Sequence, residues 1–541
     1  MSVSKFAALA AVLMSAAAPH SFAQSPPLPA APQVNVWSDP LKVLQFQWPS
    51  VSGATHYLLQ HKPNASSPFA TYGNPILAPR TRAALTIPVH ALDWANARYK
   101  VSACNAAGCQ DSTDISVEDL MLTSIGYVKA SNPDRFDGFG GYAQLSQDGN
   151  TLVVSSHEDS NATGVNGNQS NNDSEDSGAV YVFRRIGLVW RQEAYLKPNV
   201  NSRQQYFGIG YPLGFRALSV TADGSLIAVG APGEYVNGVE FGGAVYLFAR
   251  AADGTWSQTE KFTLPAPVVY DFFGVSADLS SDGLYLKVTS YAQDRRMQRD
   301  YIFRHGAAGW FQYAVHAPDP GDILCSSQMS GNANAIVSIC HGELNGSQRL
   351  RVRRGLGTWE PVQDIPLPST FSQIPAVSGN GARIALYVVN AAGQREVRVY
   401  GWTGSAYVQE TALESPGGTA TDYPSFGQGL ALNRNGTVLA VGDYSNALSG
   451  PGVSAPPPTS VLALREGAAF VYQRGTGSPG WTLSKVVKSP NFSGSFGRDV
   501  SLSGNGLTLA VGAPGERSGS RGIDGDQTNT SRPGSGAVYL Y

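Results

Sequence analysis

The N-terminal part of this chain alternates apolar and polar residues in short runs. LQFQW (Leu44–Trp48) is one, followed at regular spacing by HYLLQHK, ALTIPV and RYKVSACNAAGC. Period-two runs separated by turn residues predict half-buried antiparallel strands, and several in succession predict a sandwich. Trp48, Tyr57, Tyr99 and Val101 fall on the inward side of that pattern, and Tyr99 suits a corner tyrosine.

From about residue 119 onward a second pattern takes over and repeats. FGRDVSLSGNGLTLAVGAPGE (Phe496–Glu516) lines up with FGGYAQLSQDGNTLVVSSHED (Phe139–Asp159), and further copies start at Phe207, Phe273 and Phe426. Two worn copies, CSSQMSGNANAIVSICHGE and AVSGNGARIALYVVN, fill the longer gap after Phe273, which makes seven. Each unit reads as strand, tight turn, strand, loop, strand, turn, strand. Asx-Gly pairs mark the first turn (Asp148-Gly149, Asp223-Gly224, Asp282-Gly283, Asn380-Gly381, Asn435-Gly436, Asn505-Gly506), and such pairs suit two-residue hairpins. Trp190, Trp256, Trp310, Trp359 and Trp481 mark the fourth strand, with Tyr407 replacing Trp once. Four antiparallel strands repeated seven times predict a seven-bladed β-propeller.

The last unit stops at SGAVYLY, one strand short, whereas SIGYVKASN (Ser124–Asn132) matches the fourth-strand run EAYLKPN (Glu193–Asn199). The expectation is that this early strand completes the last blade and closes the ring, leaving no bare edge.

Phe-Gly followed by Val-Gly-Ala-Pro, at Val229–Pro232 and Val511–Pro514, resembles the FG-GAP repeat of integrin α-chain propellers and related exported bacterial proteins. W-P, Y-x-L and Y-x-V-x-A-C-N-A-A-G-C resemble a fibronectin type III domain, which implies a spacer or binding module. The fold expected is therefore all-β: a signal peptide at 1–23, a Pro-rich spacer at 24–33, a fibronectin type III-like sandwich at 34–118 and the propeller at 119–541.

Composition narrows the functional classes. Charged residues make up 14% of the chain, low against the roughly 25% usual for soluble domains. The formal net charge of −2 leaves no electrostatic footprint for nucleic acid or an anionic membrane. Lys5, the apolar run FAALAAVLMSAAA and Ser21-Phe22-Ala23 read as an export signal, too short to span a bilayer. A secreted, periplasmic or cell-surface location follows, with no transmembrane segment. The four cysteines suit an oxidising compartment, as two close pairs, Cys104 with Cys109 and Cys325 with Cys340; the second pair flanks a hairpin turn.

Candidate chemistry gathers in the loops between second and third strands. Those of units 1, 6 and 7 (Asp159–Gly178, Asp443–Gly467, Glu516–Gly536) are long, and ring closure makes these units neighbours. The resemblance to integrin propellers implies that this face meets ligand. The candidate ligand-binding residues are Asp159, Asn166, Asn168, Asp173, Glu175, Asp176, Tyr444, Glu516, Arg517, Asp524 and Asp526. GVNGNQSN (Gly164–Asn171) mirrors GIDGDQTN (Gly522–Asn529): Asx-turns are one reading, and an oxygen site for calcium on Asn166, Asn168, Asp524 and Asp526 the other. The family's calcium loops between first and second strands are replaced here by two-residue turns, so no cofactor is expected. No nucleophile elbow, zinc motif or phosphate loop accompanies the scattered histidines. The expected function is non-catalytic binding or adhesion to an extracellular protein or glycan. A polysaccharide hydrolase using carboxylates of the same loops, or a structural envelope component, is the alternative.

Overall fold

The computed structural model describes residues 26–541 except 40, 213–214, 293–296, 343–346, 369–373, 417–424, 455–465, 476–479 and 492. The expected signal peptide lies outside the described residues. The protein is all-β; its described helical segments are two 3₁₀ turns, Glu118–Leu120 and Leu122–Ser124. Among the described residues no helix is long and apolar enough to cross a membrane.

Two sheets form the N-terminal layers. One holds Asn35–Asp39, Val43–Gln47 and Arg82–Thr86; the other is built on His56–Lys62 and Arg98–Asn105. Trp48, Tyr57, Tyr99 and Val101 are all buried between them, with Trp48 and Tyr57 rings 5.2 Å apart and Phe46 and Tyr99 rings 5.3 Å apart. A hairpin places Cys104 opposite Cys109, and the two are bonded.

The remaining strands form antiparallel sheets in chain order. Sheet 1 comprises Ala143–Leu145, Thr151–Ser156, Ala179–Ile186 and Val189–Leu196; sheet 2 Leu218–Val220, Leu226–Ala231, Ala244–Arg250 and Trp256–Phe262. Sheets 3, 4 and 5 begin at Ser276–Leu279, Asp322–Met329 and Ala376–Val377. Sheet 6 begins at Gly429–Leu432 and sheet 7 at Val500–Leu502. In sheet 4, Cys325 faces Cys340 across the hairpin and bonds to it, as its spacing suggested.

Sheet 7 takes its fourth strand from the other side of the chain. Gly126–Val128 pairs antiparallel with Ala537–Leu540, in the register Gly126–Leu540, Tyr127–Tyr539 and Val128–Val538. The first strands of successive sheets touch in order, and that of sheet 7 touches that of sheet 1. The turns after those strands repeat the closure in hydrogen bonds. The amide of Asp148 donates to Ala222 O, Ala222 to Ser281 O, Ser281 to Gly331 O, Asn332 to Gly379 O, Asn380 to Arg434 O, Arg434 to Gly504 O, and Gly504 to Gln147 O. These bonds span 2.6–3.1 Å and return to their starting sheet. In six of the turns a hydroxyl two residues before the Asx bonds its side chain, as Thr221 Oγ1 does to Asp223 Oδ1 at 2.8 Å and Ser503 Oγ to Asn505 Oδ1 at 2.8 Å; in sheet 6 Asn433 Oδ1 accepts the Thr437 amide at 2.8 Å instead.

The Phe-Gly marker has a packing reason. Phe139, Phe207, Phe273, Phe426 and Phe496 are all buried. The glycine after each has positive φ and is closely packed, at Gly140, Gly274 and Gly497 against neighbouring backbone: Gly497 sits at φ +88°, where a Cβ would lie 2.4 Å from Ala468 O.

The N-terminal sheets pack against sheet 7 through one continuous apolar core that includes Phe46, Tyr99, Ile125, Tyr539 and Tyr541. Lys42 Nζ donates to Leu507 O and Thr508 Oγ1, both at 2.8 Å, and His90 Nε2 lies 3.0 Å from Gly506 O. These contacts fall on the Asx-Gly turn of sheet 7, so the sandwich occupies part of the turn-bearing face.

Candidate functional site

Antiparallel connectivity puts the Asx-Gly turns on one face of the array and the loops between second and third strands, with the sheet-to-sheet connections, on the other. The turn face is narrow at its centre, where Gln147 Nε2 reaches across to Ser281 Oγ at 2.5 Å. Beneath it lies a cavity of about 120 Å³ lined by first strands, with Gln144, Arg216, Asp278 and Gln328 among its walls. Two of its charges are paired, Arg216 with Asp499 at 2.5 Å and Asp278 with Lys287 at 3.0 Å, and Arg434 adds a third charged group to the lining.

On the loop face, the long loops fold back onto their own sheets. In loop 1 the amide of Asn166 donates to Tyr195 O at 2.7 Å while Asn166 Oδ1 accepts the Tyr195 amide at 2.9 Å. Loop 7 repeats this with Asp524, whose amide donates to Tyr127 O at 2.8 Å and whose Oδ1 accepts the Tyr127 amide at 3.2 Å. In loop 6, Gly452–Ser454 pairs with Trp481–Lys488. Each long loop thus lays a short rung on the outer strand of its sheet and covers an edge that would otherwise be open.

This placement sorts the candidate residues. Asn168 Oδ1 accepts the Ser170 amide at 3.0 Å, and Asp526 Oδ1 the Thr528 amide at 2.8 Å, so both close Asx-turns. Asp159 Oδ1 accepts the Asp176 amide at 2.8 Å. Glu516 is buried against Lys129 at 2.7 Å and accepts the Ser518 amide at 2.9 Å. Tyr444 lies under the Arg498 guanidinium, 5.3 Å from the ring centroid. Asp173, Glu175 and Arg517 are exposed, and Asp176 is partly so, 3.9 Å from His157 Nδ1. The oxygens considered for calcium are therefore engaged in loop hydrogen bonds. Among the described residues, Asp322, Cys325 and Cys340 are the one metal-like grouping, and their sulfurs are spent in the disulfide.

The position equivalent to Glu516 in unit 1 is Glu158, not Asp159. The Gly178 amide donates to Glu158 O as that of Gly536 does to Glu516 O and that of Gly243 to Glu234 O. Glu158 accepts the Tyr181 hydroxyl at 2.7 Å, and Glu234 that of Tyr246 at 2.5 Å. Burial pushes Glu158 up to about 7 and nearby Asp137 up to about 6, and lowers Lys197, against which Glu158 acts in part.

A feature the sequence reading passed over lies where sheets 1, 2 and 3 meet on the same face. Tyr206 and Tyr211 stack with centroids 4.1 Å apart, Phe241 and Tyr270 at 5.3 Å, and Phe272 joins the two pairs at 6.1 Å from Tyr211 and 5.2 Å from Phe241. Loop 1 borders this cluster: Gln204 N donates to Glu175 O at 2.7 Å, Tyr206 N to Asp176 O at 3.1 Å, and Arg203 pairs with Glu175. The five rings come from three separate segments, so only their recurrence at equivalent places in the repeat could have revealed them.

No family model and no curated protein matches the chain. Solved structures similar to it include the periplasmic gluconolactonase PpgL of Pseudomonas aeruginosa, at 15% identity over 73% of this chain and 93% of that one (TM-score 0.38). Others are a putative 6-phosphogluconolactonase from Bacteroides uniformis (11% identity, 80% and 97%, TM-score 0.38) and the β-propeller domain of the Trilobed protease from Pyrococcus furiosus (8% identity, 72% and 91%, TM-score 0.37). The expectation that this chain is not an enzyme is corrected here. Two of these propeller-like neighbours are named as lactonases, so the architecture gives no ground for excluding catalysis.

Proposed function

We propose that this chain is an exported binding protein that engages an extracellular protein or glycan through its loop face. In this reading the seven sheets are the blades of an FG-GAP-type β-propeller, preceded by a fibronectin type III-like domain that holds the ring on its other side. One observation carries the reading: the turn face is tied by a circle of backbone bonds and partly covered by the sandwich, whereas the long loops and an exposed aromatic cluster share the opposite face. Loops grouped on a rigid scaffold are where binding residues concentrate. Exposed Asp173, Glu175 and Arg517 are the polar contacts expected to meet a ligand.

The test is capture by the immobilised full chain of a glycan array and of purified extracellular polypeptides such as collagen and fibrinogen. Capture that falls in an Asp173→Ala, Glu175→Ala, Arg517→Ala triple variant with an unchanged melting curve supports the reading. Capture of nothing, or capture indifferent to the three changes, overturns it.

A further inference from the structure

The aromatic cluster where sheets 1, 2 and 3 meet sits at positions that the repeat itself marks as costly for large side chains. The residue before Phe-Gly is Gly138 in unit 1, Ser425 in unit 6 and Ser495 in unit 7, but Tyr206 in unit 2 and Phe272 in unit 3. Gly138, Tyr206, Phe272 and Ser495 all have positive φ, at 58°, 54°, 43° and 64°. Two residues before the glycine that opens the third strand stand Asp176 in unit 1 (φ 51°) and Gly534 in unit 7 (φ 70°), but Phe241 in unit 2 (φ 52°). Tyr270, at φ 64°, matches Gln204 (φ 54°) in unit 2 and Phe136 (φ 66°) in unit 1, so an aromatic at this one position is not peculiar to the patch. Left-handed backbone disfavours bulky residues, and strain of this kind gathers at functional sites. Tyr206, Phe272 and Phe241 exceed what blade packing requires, because other copies manage those positions with Gly, Ser or Asp, and all three stand in one patch with Tyr270.

The rings are arranged as a platform. Tyr211 is 41% exposed although Tyr206 covers one of its faces, and Tyr270 is 39% exposed although Phe241 stacks on it. Phe272, buried, fills the space between the pairs and holds both. Charged groups border the patch: the Arg203–Glu175 ion pair, and exposed Glu240, whose carbonyl accepts the Tyr270 amide at 3.1 Å.

We infer that Tyr211 and Tyr270, backed by Tyr206, Phe241 and Phe272, form a saccharide-binding platform. A pyranose presents an apolar face of axial C–H groups and an edge of hydroxyls; two exposed tyrosine rings bordered by carboxylate and guanidinium groups match both. Rings already stacked lose little freedom on binding, which favours a ligand that is itself a stiff, flat unit. This inference rests on the binding reading above and names its ligand class.

The experiment compares full-length wild type with Tyr211→Ala, Tyr270→Gly, the conservative Tyr211→Phe/Tyr270→Phe pair, and Phe311→Ala, an exposed aromatic on the outer strand of sheet 3. Probes are an array of neutral and acidic oligosaccharides, with collagen and fibrinogen as polypeptide probes. Expected is saccharide capture that Tyr211→Ala and Tyr270→Gly each weaken about tenfold, with the Phe pair within about threefold and Phe311→Ala unchanged. Tyr270→Gly should melt no lower than wild type, because glycine relieves the left-handed backbone; a ring held only for packing would melt lower. Saccharide capture indifferent to Tyr211 and Tyr270 overturns the platform. Capture of polypeptide without saccharide overturns the ligand class and leaves the binding reading standing; capture of neither overturns both.

Discussion

Asp524 and Asn166 occupy the same place in two copies of one loop, each accepting a fourth-strand amide. The asparagine does this without charge; the carboxylate must be desolvated, and burial pushes Asp524 up to about 6. An acid whose pKa is raised on folding is at no disadvantage below its unfolded value of about 4, and its contribution is lost as pH rises through about 6. Asp524→Asn should therefore stabilise the protein at pH 7 by about 1–2 kcal/mol, a value reduced for partial solvent access. It should leave stability at pH 4 nearly unchanged. Urea melts of both proteins at pH 4, 5, 6 and 7 check this; a gain that is equal at every pH contradicts it. The glycine of Phe-Gly sits at the other extreme. Gly497→Ala forces a Cβ onto Ala468 O, and the loss should be about 3 kcal/mol or more, read as a fall in urea midpoint.

At the scale of elements, strands and hairpin turns were legible in the sequence because they rest on local chemistry, and the pairing of residues 126–128 with the C-terminal strand because the repeat lacks one strand at its end and has a spare copy at its start. Asx-Gly fixes a turn wherever it stands, and an apolar run bounded by turns is a strand in either neighbour's company. The long loops were not legible in the same way. Whether Asn166 faces solvent or pairs with Tyr195 depends on a strand that lies well along the chain, and nothing local encodes that choice. The mistaken register of Asp159 has a similar cause: the strand-to-loop exit of unit 1 is one residue shorter than VGAPGE, so Glu158 takes the buried place. The worn unit 4 supplies an element-scale prediction. Its Cys325–Cys340 bridge closes a loop of 15 residues, worth about 3 kcal/mol in the chain-entropy model. The Cys325→Ser/Cys340→Ser variant should show a lower calorimetric melting temperature, whereas an unchanged one would remove the bridge from the stability of that sheet.

For the whole molecule, closure depends on few groups. Lys129 follows the pairing strand, is fully buried, and ties it to loop 7 through Glu516 and Ser535 Oγ, each at 2.7 Å. Lys129→Met leaves Glu516 buried and unpaired, which should cost about 3–5 kcal/mol. The double variant with Glu516→Gln should recover much of that loss, and a double-mutant cycle in urea measures the difference. Additive losses would show that the pair acts through separate contacts.

The register Gly126–Leu540, Tyr127–Tyr539 and Val128–Val538 has a mechanical meaning as well. Tension applied between residue 126 and Tyr541 would fall first on those three pairs and on the lysine beside them. The other six sheets lie outside that path and stay slack until the seam gives way. As a tether, the molecule would yield in one short step at the junction rather than by paying out repeat after repeat.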